Sequence, residues 1–193
     1  TQTAARQLGV TGIDAHLEFD APDLTAAARQ LAERGHTRAV VVPTLFTKAF
    51  HATHDVPEAI AHATADTGLD LTVAEGLGQG RDVAAVLASR ALIDAPRASR
   101  IVLYPVGTSD ADQARNYDRL AADLARRTGR DVDVVPATGG GRRFVDTHVL
   151  PLFVTYATLL DRIPAHLPRS GPLTTDLAGV VADRYRATAE KAA

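Results

Sequence analysis

Along the chain, short runs of β-branched and aliphatic residues alternate with alanine-rich stretches in which apolar positions recur every three or four residues. Ile13 to Phe19, Arg38 to Leu45 and Leu71 to Glu75 read as strands, and Asp23 to Arg34, Pro57 to Thr67 and Asp82 to Ala91 as helices. Such alternation predicts βαβ units around a parallel sheet. Asp23 is a suitable N-cap before Leu24, and Gly35 follows the helix where a C′ glycine is expected. From Ile101 the order repeats, with a helix over Gln113 to Thr128, strands over Val132 to Pro136 and Val149 to Val154, and a closing helix over Asp176 to Ala189.

The repeat extends to residue detail. The nine residues Asp82 to Arg90 match Asp176 to Arg184 without a gap, and the run from Val40 to Pro57 has a weaker copy from Val149 to Pro164. This is an internal duplication rather than a solenoid period, and it divides the chain into lobes 1–97 and 98–193. Laying one half on the other leaves two gaps. The stretch Ile101 to Leu120 has its counterpart before Thr1, so a first strand and most of a helix are expected to be missing. The chain also contains no methionine, not even an initiator, and is read as lacking its natural start. Between Val135 and Val149 there is too little chain for the strand, helix and strand that the first half fits between Leu17 and Val42. Gly139 to Gly141 therefore mark a deletion, an omitted segment or a loop. They lack the lysine and Ser/Thr of a phosphate-binding P-loop.

Composition narrows the chemistry. With 21 basic and 23 acidic side chains the formal charge is -2, which provides no global field for nucleic acid or an anionic membrane. No cysteine is present, so thiolate metal sites and cysteine nucleophiles are excluded, in keeping with a cytoplasmic protein. Apolar runs such as Val40 to Val42 are too short to span a bilayer. Histidine and carboxylate remain as ligands.

The strand around Val40 to Val42 delivers His51 into a polar loop past its end, where ligands bind in open parallel sheets. Glu18 lies where another expected strand gives way to a turn. If the two strands are parallel neighbours, imidazole and carboxylate emerge on one edge, where they can share a divalent cation or relay a proton. On pattern alone, a surface histidine and a solvated turn glutamate are the commoner outcome. His54 and His16 extend the candidate cluster, although His54 also reads as a helix-entry residue and His16 as a side chain in the sheet wall. The matching position to His51 in the second half is Leu159.

Taken together, His16-Leu17-Glu18-Phe19-Asp20-Ala21-Pro22, the run Val40 to Phe46, the segment Phe50 to Pro57, and the second-half pair Leu150-Pro151-Leu152-Phe153 and Leu160-Asp161-Arg162-Ile163 resemble the class II tetrapyrrole chelatases, specifically the sirohydrochlorin cobalt- and ferrochelatases. The resemblance covers nearly the whole chain. It implies an α/β fold of two similar chelatase-like lobes, each a small parallel sheet flanked by helices, with a cleft between them. It also implies insertion of a divalent metal into sirohydrochlorin, for cobalamin or sirohaem synthesis, by two histidines and a glutamate.

Glu18 and His51 match two of those three positions. The remaining histidine of the family falls in the part missing before Thr1, and its second-half counterpart is Val106. Ala137 likewise stands where the second half would carry the glutamate. Lys48 and Phe50 are expected to contact the carboxylate-rimmed, centrally apolar macrocycle, although Lys48 also reads as a solvated loop lysine. The metal is a substrate, cobalt or ferrous iron, with nickel and zinc also suited to the same donors. No nucleotide, nucleic acid or membrane is expected as a partner, and the duplication implies a monomer. Two other classes stay open: a non-catalytic tetrapyrrole- or metal-binding protein of the same fold, and a bilobal binder of small ligands.

Overall fold

The computed structural model describes residues 1–17, 20–47, 55–139, 144 and 146–191. In chain order its elements are helix α1 (Gln2–Leu8), helix α2 (Leu24–Glu33), strand β1 (Arg38–Val41), helix α3 (Val56–Thr67), strand β2 (Asp70–Val73), helix α4 (Arg81–Asp94), strand β3 (Arg100–Pro105), helix α5 (Ala111–Thr128), strand β4 (Asp131–Val134), strand β5 (His148–Leu152) and helix α6 (Ala178–Ala189). Two compact units result. One comprises Thr1–Gly78 with Ala178–Ala193, the other Gln79–Leu177. Contacts therefore group α4 with the second unit and α6 with the first, whereas the repeat in the sequence is cut at 97/98.

In the first unit β1 and β2 form a two-stranded parallel sheet, with Arg38 opposite Asp70 and Val41 opposite Val73. Helix α2 begins where Asp23 accepts a bond from Ala26 N at 2.7 Å. It ends in a Schellman arrangement, Gly35 N donating to Ala32 O and His36 N to Leu31 O, with Gly35 at φ +82°. That left-handed conformation favours glycine. Helix α2 packs on α3 around Ala28, Ala63 and Leu69, with Leu24, Leu31 and Leu71 against them. Across the same pair Arg29 forms a bidentate bond to Asp66 at 2.7 and 2.8 Å, and Thr25 Oγ1 lies 3.1 Å from His62 Nδ1. Helix α6 packs against α1 and β1.

The second unit holds three parallel strands in the order β4-β3-β5. From Ile101 to Pro105, β3 is buried throughout, as a central strand covered on both faces should be. Ile101, Leu103, Leu150 and Leu152 are fully buried, as are Leu87 of α4 and Leu120 and Leu124 of α5. Val102 and Tyr104, which alternate with them, join Val135, Ala137, Val149, Phe153, Leu160 and Ile163 in a separate apolar cluster. From the end of β4 to the start of β5 the described residues contain no helix, matching the shortness of that stretch in the duplication. Gly140 and Gly141 lie outside the described residues, while Gly139 N closes a turn onto Pro136 O.

One expected strand is not formed. Among the described residues of Ile13 to Phe19 there is only a single parallel bridge, His16 to Asp23, with His16 N donating to Pro22 O at 2.9 Å. Extended chain becomes a strand only when a neighbour pairs its backbone groups. β4, its counterpart, has β3 beside it, and no described strand lies beside 13–17. Two boundaries also differ. β1 stops at Val41, just before Pro43, which has no N–H to donate, and the closing helix begins with a 3₁₀ turn over Thr174–Leu177.

Candidate functional site

Because β1 and β2 are parallel, their carboxyl ends open on one edge, and the chain leaving them continues side by side. Ala74 N donates to Val41 O at 2.8 Å and Gly78 N to Leu45 O at 3.2 Å. Gly76 sits so close to the neighbouring loop that a Cβ there would lie 2.9 Å from Leu45 O and 3.5 Å from Pro43 O. From the other side Arg184 of α6 donates Nε to Gly76 O at 3.0 Å and Nη2 to Leu77 O at 2.9 Å. The loop over residues 42–47 is thereby fixed against the loop over 74–78, and in sequence it leads directly to Lys48. Glu18, Lys48, Phe50, His51 and His54 themselves lie outside the described residues. His16 is exposed, and among the described residues no three His, Asp or Glu side chains converge.

The duplicated half shows where the corresponding positions go. By the duplication, Val106, Ala137 and Leu159 stand at the places of the remaining histidine of the family, Glu18 and His51. Ala137 N donates to Pro105 O at 2.8 Å, and Thr138 donates to Val106 O from its backbone N at 3.1 Å and from its hydroxyl at 3.0 Å. Arg162 then reaches Ala137 O at 3.2 Å, while Tyr104 donates its hydroxyl to Leu159 O at 3.1 Å. Ala137 and Leu159 belong to one apolar cluster. Burial pushes the Tyr104 hydroxyl above the ordinary phenol range, with the Arg162 charge acting in the opposite sense, so it stays a neutral donor. Three turns are thus gathered at the carboxyl edge of the β4-β3-β5 sheet, with apolar side chains at the three positions. None of them offers a metal ligand.

Sequence reasoning missed Gly76, Arg184, Tyr104 and Arg162. Arg184 left a trace as the last residue of the nine-residue match with Asp82 to Arg90, and Arg162 as part of the Leu160-Asp161-Arg162-Ile163 pattern. His148 proves to be a buried residue of β5, its Nε2 2.9 Å from Ser170 Oγ, and burial holds its imidazole below the ordinary value. It also lines a cavity of about 960 Å³ with Asp94, Arg97, Phe144 and His166. This cavity lies at the start of β5, away from the strand ends discussed above.

Comparison with known proteins places this architecture. Residues 1–93 match the family model described as CbiX. The match covers just under half of the chain. A sirohydrochlorin cobaltochelatase of Sulfurisphaera tokodaii is 32% identical over 74 residues, which are 38% of this chain and 59% of that protein. The chain thus spans about three-fifths of the length of this curated relative. Over the whole chain the fold is that of solved chelatase structures. SirB from Bacillus subtilis with Fe3+ superposes with a TM-score of 0.76 at 20% identity, over 99% of this chain and 87% of that one. SirB from Bacillus subtilis subspecies spizizenii in complex with cobalt gives 0.71 at 23% identity, over 98% and 89%. A CbiX described as the terminal enzyme of sirohaem biosynthesis in denitrifying bacteria gives 0.62 at 17% identity, over 80% and 77%. The CbiX-family match covers Glu18, Lys48, Phe50 and His51 and stops before Val106, Ala137 and Leu159. Among the described residues no helix is long and apolar enough to cross a membrane.

Proposed function

We propose that the protein is a sirohydrochlorin chelatase that inserts a divalent metal, cobalt or ferrous iron, into the macrocycle, with His51 and Glu18 as its metal ligands. The observation that carries this reading is the convergence of Val106, Ala137 and Leu159 at one sheet edge, held there through Tyr104 and Arg162. By the duplication Glu18 and His51 stand at the positions of Ala137 and Leu159, and the reading gives them the same proximity. The CbiX match over residues 1–93 and the named activity of the Sulfurisphaera tokodaii relative support the same choice of substrate.

The chemistry suits the donors. A chelatase must hold a borderline divalent ion firmly enough to desolvate it and loosely enough to pass it to four pyrrole nitrogens. It must also accept the two protons that those nitrogens lose. Neutral imidazole and carboxylate do both, whereas a thiolate cage would retain the metal. In this reading His51 binds the metal and accepts a pyrrole proton, Glu18 shares or orients that load, and Lys48 and Phe50 contact the macrocycle. No step calls for a nucleotide, and a single chain acts as a cytoplasmic monomer.

Mixing the protein with sirohydrochlorin and either Co2+ or Fe2+, and following the visible absorption of the macrocycle, tests the reading. Insertion faster than the uncatalysed rate with one or both metals is the expected result. Binding of the tetrapyrrole without any acceleration would replace the reading with that of a non-catalytic binder.

A further inference from the structure

Arg184 joins two segments more than a hundred positions apart in sequence. Its half-buried guanidinium donates to two successive carbonyls, Gly76 O and Leu77 O, both in the loop after β2. A planar fork can serve two adjacent carbonyls at once, which the single ammonium of lysine does less well. That loop is in turn coupled to the one leading to His51. Gly78 N bonds Leu45 O at 3.2 Å, and the Gly76 backbone lies so close to Leu45 O that no side chain fits between them. A continuous line of contacts runs from α6 through residues 76–78 to Leu45, six residues before His51.

The duplication supplies the control. Arg90 occupies the matching place in α4, but there it pairs with carboxylates, Asp176 at 2.6 Å and Asp94 at 3.7 Å. At equivalent positions, one arginine makes side-chain ion pairs in the unit without ligands. The other holds strand-end backbone in the unit with the proposed site. We infer that Arg184 is a positioning residue for metal insertion, fixing through Gly76, Leu77 and Leu45 the loop that leads in sequence to Lys48, Phe50 and His51. The inference rests on the chelatase reading. It adds a residue of α6, at the far end of the chain from His51, to the machinery.

Geometry of this kind is costly to lose, since a misplacement of about 1 Å caused by a remote substitution can cost on the order of 100-fold in rate. The test compares Arg184→Ala, Arg184→Lys and Arg90→Ala with the unsubstituted protein. Three readouts are taken: the visible absorption of Co2+ bound to the protein without tetrapyrrole, kcat and KM for cobalt insertion, and thermal unfolding. Arg184→Ala should alter the Co2+ band and lower kcat by roughly 10- to 100-fold, with a smaller change in KM. Arg184→Lys should recover part of both. Arg90→Ala should lower the unfolding temperature and leave the band and kcat unchanged.

An unaltered band and kcat in Arg184→Ala, or equal losses in Arg184→Ala and Arg90→Ala, would overturn the inference while leaving the chelatase reading intact. If Arg184→Ala does not fold, Arg184→Lys decides, and a band and kcat identical to those of the unsubstituted protein overturn the inference. If the unsubstituted protein neither binds Co2+ nor inserts it, the chelatase reading falls, and the inference with it.

Discussion

The two units are built from one repeated pattern, yet their strands are buried to different degrees. In the second, β3 is buried along five consecutive residues, and the three turns at its carboxyl edge end in Val106, Ala137 and Leu159. Tyr104, Phe144 and Phe153 share one apolar cluster with Ala137 and Leu159, while Val106 is exposed. In the first, β1 and β2 are only half-buried along their length. On the proposed reading, a duplicated scaffold devotes one copy to packing and the other to chemistry. An edge lined by Val106, Ala137 and Leu159 offers none of the polar donors that a metal requires.

The largest effect that should separate the units is on rate. General-base groups typically contribute about 10²–10⁴-fold, so His51→Ala should slow metal insertion by about that range at saturating metal. Its counterpart Leu159→Ala should leave insertion within a few-fold and instead lower stability by about 1–2 kcal/mol, less than for a fully buried leucine because Leu159 is half-buried. Insertion assays paired with urea unfolding of the two variants would show whether rate and stability divide between the halves in this way.

A second effect concerns the scaffold of the first unit. Gly76→Ala places a Cβ 2.9 Å from Leu45 O, a backbone atom that can yield only by moving the loop. We expect a loss of about 1–3 kcal/mol in urea unfolding, in the range of overpacking substitutions, with slower insertion than the stability loss alone would produce. Gly171→Ala, where a Cβ would meet nothing within 4 Å, should be close to neutral in both measurements.

Much of this arrangement was legible in the sequence, because it depends on local signals. Asp23 and Gly35 delimit α2 by capping, and the stretch between Val135 and Val149 is too short for the strand, helix and strand that the first half fits between Leu17 and Val42. The candidate site was legible from the positions of His51 and Glu18 past expected strand ends and from the contrasts between copies, His51 against Leu159 and Glu18 against Ala137. What the sequence could not show is what touches what across long separations. The alternation in Ile13 to Phe19 specifies faces but supplies no partner strand, and it is the partner that makes a strand. The repeat likewise gives the order of α4 and α6, not the unit each one completes. Gly76 looks like any loop glycine until the Leu45 carbonyl is seen against it, and the task of Arg184 becomes visible only with Gly76 and Leu77 beside it.

The smallest expected effect is a pH dependence belonging to the second unit. Burial holds His148 below the ordinary imidazole value of 6.5, Asp94 acting against this and Arg130 reinforcing it. As pH falls through that value the unfolded chain takes up a proton that the folded chain resists. Stability present at neutral pH therefore declines on acidification towards the folded-state value. His148→Gln retains a hydrogen-bonding side chain beside Ser170 but does not titrate. Its urea midpoint should fall less between about pH 7.5 and about pH 5.5 than that of the unsubstituted protein, while insertion at neutral pH stays unchanged.

The central claim, that one half of a duplicated chain holds the metal and the other does not, is tested most directly by titrating the protein with Co2+ and counting bound equivalents from its visible absorption. The account predicts one equivalent per chain, lost in His51→Ala and in Glu18→Gln and retained in Leu159→Ala. Two equivalents per chain, or one that survives the loss of both His51 and Glu18, would contradict it.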